Sequence, residues 1–257
     1  MRKQLRSIYL NIMGSLKKPK PGIHIINSHY VTPDFVDTER DTKLFENYLK
    51  FLNKWAKFIS LDEATKRIIE KDYPTDEVLI AFTFDDGFEE CYTIIAPLLE
   101  KYNTRGAFFI NANYIESSIE YQKSYHTRVN SKTKLPMTWK QVKRLHSNGH
   151  IIGSHNLDHT NFAEMNETEI EQQVVDNKQI LEFKLNYQCD YFAWTYGQFK
   201  NYPDIAHQVT KKYHKYIFSG TSYKTYLSIN EEVLNRRHQE AFWSKNHNKY
   251  FISVKKK

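Results

Sequence analysis

Short apolar runs that end in polar residues alternate along this chain with longer stretches whose apolar residues recur at helical spacing, the pattern of parallel α/β architecture. The strand-like runs are residues 23–28, 78–84, 106–111, 150–154 and 191–194. The helical stretches are residues 41–57, 61–70, 89–102, 138–147 and 167–183. Asn166, with Glu167 and Glu169 behind it, gives the last of these a cap and an acidic first turn. Residues 114–136 are polar and irregular, and a long loop over one face, in the manner of a substrate lid, is expected there. The segment Lys17-Lys18-Pro19-Lys20-Pro21-Gly22 separates a basic N-terminal segment, 1–22, from a single domain over 23–257. At 257 residues the chain suffices for one α/β barrel with a substantial core.

The formal charge of +7 reads as spread through the chain, apart from a basic start (Arg2, Lys3, Arg6, Lys17, Lys18, Lys20) and the Lys255-Lys256-Lys257 tail. Spread charge argues against a nucleic-acid groove. The basic ends suit peripheral contact with an anionic membrane or glycan, and equally suit solvated termini. Aromatic residues make up 15% of the chain, which serves sugar stacking as well as core packing. Cys91 and Cys189 have no metal or redox spacing, so two reduced thiols and a cytoplasmic location are expected. The apolar stretch from Ile8 to Met13 is short, is interrupted by Asn11, and lacks a convincing cleavage site. No run approaches the roughly 18 apolar residues that span a bilayer, which predicts a soluble or peripheral protein.

In a barrel of such strands, chemistry belongs at their C-terminal ends, and there the polar groups sit. Thr83-Phe84-Asp85-Asp86-Gly87 places two carboxylates directly after an apolar run, with a glycine that lets the chain turn. Adjacent carboxylates repel; a divalent cation on one leaves the other free to accept a proton. A helix cap and turn is the plainer alternative. Gly153-Ser154-His155-Asn156-Leu157-Asp158-His159 sets two imidazoles four residues apart, able to meet on one ion if the segment coils as a turn.

Together these segments resemble the polysaccharide deacetylases of carbohydrate esterase family 4, from about residue 23 to the Arg236 region. The Thr-Phe-Asp-Asp-Gly motif and the Ser/Thr-His-x-x-x-His motif are both matched in full. The resemblance implies a distorted (β/α)7 barrel, with Asp85 as general base and Asp86, His155 and His159 as ligands of one divalent metal ion. Zinc is the expected metal, and Ni2+, Co2+ and Fe2+ accept the same ligands. A third motif, Phe192-Ala193-Trp194-Thr195-Tyr196-Gly197, implies an oxyanion-binding backbone N–H near Tyr196. Thr195 stands where relatives usually carry proline, which loosens a turn that proline would preset. The late Leu-x-His motif of the family is not evident. Ile26-Asn27-Ser28-His29-Tyr30 is similar instead to the early segment of a branch with permuted motif order, which includes the poly-N-acetylglucosamine deacetylases and points to His29 as general acid. His24 and His238 are the other contenders. Arg236 or Arg237 corresponds to an arginine that orients the catalytic aspartate, with a surface ion pair as the plain alternative.

The resulting expectation is hydrolysis of N-acetyl groups from an acetylated glycan, or from a lipid-linked or nucleotide-linked precursor. The same metal centre serves an O-acetyl ester or a non-sugar amide, and a non-catalytic glycan-binding protein is a third reading.

Overall fold

The computed structural model describes residues 2–129, 131, 134–222 and 224–256. Its sheet consists of β1 (Gly22–Ser28), β2 (Lys57–Phe58), β3 (Val78–Phe84), β4 (Ala107–Ile110), β5 (Ile151–Ser154), β6 (Tyr191–Ala193), β7 (Tyr216–Phe218), β8 (Leu227–Ser228), β9 (Val233–Leu234) and β10 (Arg237–His238). β1 and β3 pair in parallel over seven residues, and β4, β5, β6, β7 and β9 follow in order, all parallel. β10 then pairs in parallel with β1. Only Asn235 and Arg236 separate β9 from β10, so one short stretch of chain leaves the side of β7 and arrives at the side of β1. This split seventh strand completes the circuit of the expected distorted (β/α)7 barrel. β2 joins the lower part of β3, and β8 folds back antiparallel on β9.

The two-residue period of β3 sorts its side chains. Leu79 and Ala81 join Ile23, Ile25, Phe109, Ala193 and Phe218 in one buried cluster. Ile80, Phe82 and Phe84 join Ile26, Phe108 and Ile110 in another. Thr83 and Asp85 follow Leu79 and Ala81 in phase, which carries Asp85 onto their face at the end of the strand.

The helices are α1 (Arg2–Leu16), α2 (Thr38–Leu52), α3 (Leu61–Ile69), α4 (Ala96–Lys101), α5 (Ile119–Val129), α6 (Trp139–Ser147), α7 (Glu167–Leu185), α8 (Asp204–Tyr213) and α9 (Lys245–Ile252). Their starts obey local chemistry. Asp37 and Ser60 cap α2 and α3, while Thr138–Gln141 and Asn166–Glu169 form capping boxes on α6 and α7. The stretch 89–102 is less regular than its spacing predicts: a wider π turn at Cys91–Ile95 precedes α4.

Three expectations need correction. Residues 114–136 are not simply a loop, because α5 lies within them; Tyr125 is its one buried residue, so the helix lacks an apolar stripe to announce it. Residues 1–22 include α1, whose packing partner α9 is more than 200 residues away in the sequence. Leu10 and Gly14 of α1 are buried, and Ser244, the cap of α9, bonds Asn11. Nor is the charge spread. Residues 34–240 carry 26 lysines and arginines against 30 acids, so the positive balance comes wholly from the two ends. Among the described residues no helix is long and apolar enough to cross a membrane.

Gly14 sets the closeness of α1 to α9. A Cβ there would lie 1.8 Å from the carbonyl oxygen of Asn246, which is backbone and cannot rotate away. Overpacking of this kind costs about 1–3 kcal/mol, against a helix-propensity gain of about 1 kcal/mol for alanine over glycine. Gly14→Ala is expected to speed amide exchange throughout α1 and leave β1 and β3 protected. Unchanged exchange in α1 would refute the contact.

Candidate functional site

The site occupies the C-terminal ends of the strands, around a cavity of 410 Å³ lined by His29, Asp85, Asp86, His155, His159 and Tyr196 among others. Asp85 and Asp86 leave β3 in sequence, and the chain at once enters left-handed backbone, with φ of 79° at Asp86 and 81° at Gly87. This turn, rare for a non-glycine residue, separates the two carboxylates.

Arg236 meets Asp85 in a fork. Its Nη1 and Nη2 donate to Asp85 Oδ1 and Oδ2 at 2.7 and 2.8 Å, Nη1 also donates to Thr83 Oγ1, and Nε donates to the Ser219 carbonyl. The guanidinium is fully buried and lies over the Phe109 ring. Burial pushes the Asp85 carboxyl up, but Arg236, aided by His155 and His29, more than offsets it and holds the group well below the usual carboxylate range. Of the two arginines named from the sequence, Arg236 makes this contact, as a buried bidentate pair rather than a surface one. Arg237 lies over the Phe251 ring and bonds the Thr221 carbonyl.

Asp86 has the opposite environment. Burial, with repulsion from Asp85 and Glu240, raises its carboxyl to about 7 against the opposing pull of His29 and Arg236. His155 Nε2 and His159 Nε2 stand 3.6 and 3.4 Å from Asp86 Oδ1. Left-handed backbone at Asn156 and His159 coils the intervening segment as a turn, so the two rings converge with centroids 5.3 Å apart. His155 Nδ1 donates to the Ala193 carbonyl at 2.6 Å, which leaves Nε2 without a proton and facing Asp86. Burial lowers His155 to about 4 and His159 well below its ordinary value, so both rings are neutral at pH 7. Among the described residues, Asp86 Oδ1 has no hydrogen-bond partner. A buried acceptor without a donor, opposite two neutral imidazoles whose donor atoms all lie within 4.8 Å, fits a divalent cation with an N2O donor set.

His29 follows β1, and its Nδ1 donates to Glu240 Oε1 at 3.0 Å. His238 Nε2 donates to the same oxygen at 2.7 Å, and Ser28 Oγ donates to Oε2. The His29 and His238 rings meet edge to face 5.1 Å apart. His24 is at the other end of β1, beside the Lys20 carbonyl, away from this cavity. Burial lowers His29, but the hydrogen bond to Glu240 and the charges of Asp86, Glu240 and Asp85 outweigh it and raise the imidazole to about 9. Glu240 was not foreseen. It lies in no recognisable motif; His238 is its near neighbour in the chain, but only the fold brings it to His29.

Tyr196 and Gly197 both have φ of 61°, and Tyr196 stacks edge-on against His159 at 4.8 Å. Thr195 does not leave this turn loose: its hydroxyl bonds the Thr160 carbonyl and its Oγ1 accepts from Asn156. Tyr125, from the unexpected α5, donates its hydroxyl to Asn111 Oδ1 at 2.7 Å and lies 3.2 Å from the Asp86 carbonyl, and Asn111 in turn donates to the His155 and Asn156 carbonyls. Nothing in the spacing around Tyr125 or Asn111 marks them as supports of the site.

The fold is a parallel α/β barrel that gathers an aspartate and two histidines at its strand ends. The family model for polysaccharide deacetylases matches residues 72–216, more than half of the chain, and the protein belongs to that family. A peptidoglycan-N-acetylglucosamine deacetylase of Bacillus cereus is 29% identical over 126 residues, which cover 49% of this chain and 38% of that protein. YxkH of Bacillus subtilis, named as a putative polysaccharide deacetylase, is 22% identical over 61% of this chain and 50% of its own length. The chain thus spans half or less of these curated relatives. Among solved structures, IcaB from Ammonifex degensii superimposes with a TM-score of 0.70 at 17% identity, over 92% of this chain and 99% of that one. Streptococcus pyogenes deacetylase PplD gives 0.66 at 20% identity, over 89% and 97%. At these identities the likeness shows a shared fold.

The pairing of His29 with Glu240 has a pH signature. A raised imidazole contributes stability that is fully present below its unfolded value near 6.5 and is lost as pH rises through about 9. Glu240→Gln is expected to move the His29 titration, followed by NMR in the metal-free protein, towards the ordinary value. An unchanged midpoint would remove Glu240 as the cause.

Proposed function

We propose that this protein hydrolyses N-acetyl groups from N-acetylhexosamine units of a glycan or glycan precursor, releasing acetate and leaving a free amine. One observation carries the reading. The Asp86, His155 and His159 donors converge beside a separate carboxylate, Asp85, that an arginine keeps ionised. Membership of the polysaccharide deacetylase family supports the substrate class. A relative's name extends it to the N-acetylglucosamine of peptidoglycan, and we include lipid-linked and nucleotide-linked precursors in the proposed substrate class.

Asp86, His155 and His159 hold a divalent cation in this reading, with zinc, nickel, cobalt and iron(II) all compatible with the donor set. Such an ion supplies Lewis-acid polarisation of the acyl carbonyl and acidification of water. Asp85 acts as the base. Its Oδ2 accepts from Arg236 and Asn27, while Oδ1 gives one lone pair to Arg236 and keeps another for the proton of the attacking water as the new C–O bond forms. The turn at Tyr196 and Gly197 offers backbone N–H to the developing oxyanion. As the C–N bond breaks, the His29 imidazolium, held by Glu240, gives its proton to the departing amine. Glu240 positions the ring and keeps it charged, while His238 shares the same carboxylate.

Asp85→Asn is expected to retain bound metal and lose turnover by about 10²–10⁴-fold; near-normal turnover would remove Asp85 as the base. His155→Ala is expected to lose metal, measured by elemental analysis, together with activity, and full occupancy in that variant would overturn the ligand set. Acetate release from N-acetylglucosamine oligomers, set against release from acetylated xylan, tests the substrate. Activity confined to the ester would replace N-deacetylation with O-deacetylation.

A further inference from the structure

Helix α1 wears its apolar residues on the outside. Leu5, Ile8, Tyr9, Ile12 and Leu16 are each more than half exposed. Their three- and four-residue spacing puts them on one stripe roughly 100° wide. The side of α1 bearing Leu10 and Gly14 faces α9, so the stripe looks away from the barrel apart from the Tyr9 ring at its edge, which meets Tyr250 of α9 edge to face. An apolar face held outward on a packed helix needs a cover.

The charge around it says what kind. Residues 1–33 and 241–257 hold eleven lysines and arginines and no aspartate or glutamate, and the packing of α1 on α9 brings the described parts of these two stretches together. Arg6, Lys18, Lys20, Lys245 and Lys255 are exposed on this lobe, while Lys256 turns inward over the Tyr226 ring. Apolar side chains bordered by cations, with no carboxylate in either stretch, match the interface of a bilayer carrying anionic lipid. A second copy of the chain fits poorly, because a two-fold contact through this stripe would face one basic lobe with another. Nucleic acid would use the cations and leave the stripe uncovered.

We propose that α1 docks the protein on an anionic membrane surface, with the stripe entering the boundary between headgroups and acyl chains and the flanking cations meeting lipid phosphates. The docked surface adjoins the mouth of the site: α9 is capped by Ser244, next to Trp243, which lines the cavity, and Ser244 also bonds Asn11 of α1. The inference stands on the helix and its charge alone, whatever reaction the site performs.

The test is co-sedimentation of the full chain with vesicles of phosphatidylcholine, or of an equimolar mixture of phosphatidylcholine and phosphatidylglycerol. Binding is expected to the mixed vesicles, at least about tenfold above the neutral ones, and to weaken with salt. Ile8→Asp with Ile12→Asp is expected to lower it by about tenfold or more, at unchanged melting temperature, since both side chains are exposed. Lys18→Glu with Lys20→Glu leaves the stripe intact and is expected to lower binding to the mixed vesicles alone. No binding to mixed vesicles at low salt would overturn the proposal. So would equal binding to both vesicle types, or variants that bind like the parent. A dimer that the Ile8→Asp, Ile12→Asp pair dissociates, in a protein that ignores vesicles, would assign the stripe to a second copy instead.

Discussion

The buried pair of Asp85 and Arg236 is the interaction on which the site and the closure of the barrel both depend. Arg236 sits where the last strand crosses from β7 to β1, and its guanidinium ties the end of β7, through the Ser219 carbonyl, to Thr83 and Asp85 on β3. A guanidinium taken out of water is costly unless every donor direction is used and the charge is matched. Here the fork is filled on the carboxylate side, the Nε has a carbonyl, and an aromatic face lies against the plane. The pair also decides which of two adjacent aspartates is ionised. Asp85 is held down by the arginine, whereas burial and the charges of Asp85 and Glu240 raise Asp86.

Two carboxylates therefore organise two groups of histidines. Asp86 faces a pair of neutral rings kept neutral by burial, and Glu240 faces His29, which it favours in the charged form, while His238 bonds the same oxygen. Opposite electrostatic treatment of the same side chain within one cavity suits a site that must bind a cation at one place and deliver a proton at another. Left-handed backbone at Asp86, Gly87, Asn156, His159, Tyr196 and Gly197 shapes the first of these groups. Strain gathered in this way persists because the surroundings over-determine it, through Asn111, Tyr125 and the Thr195 hydroxyl.

Much of this was legible in the chain. Apolar runs ending in Asp85-Asp86 and in His155 are sufficient to place those groups at strand ends, and the Asn166 cap and the extents of β1 and β3 followed from local rules. α5 and α1 were not legible, for opposite reasons. α5 buries one residue and so has no periodic stripe. α1 has a clear stripe, but it points outward, and its short central run masked the period. Thr195 was misjudged because the partner that steadies it, the Thr160 carbonyl, comes from another loop.

The sequence by itself determined the fold class, the neighbouring aspartates, and the two imidazoles four residues apart, because strand period, helix period and chain spacing are local properties. Only the tertiary structure decided that Arg236 rather than Arg237 reaches Asp85, that Glu240 lies under His29, and that the two basic ends form one lobe. Each of these joins residues far apart in the chain, and their meeting depends on how the barrel closes. No local pattern encodes that distance.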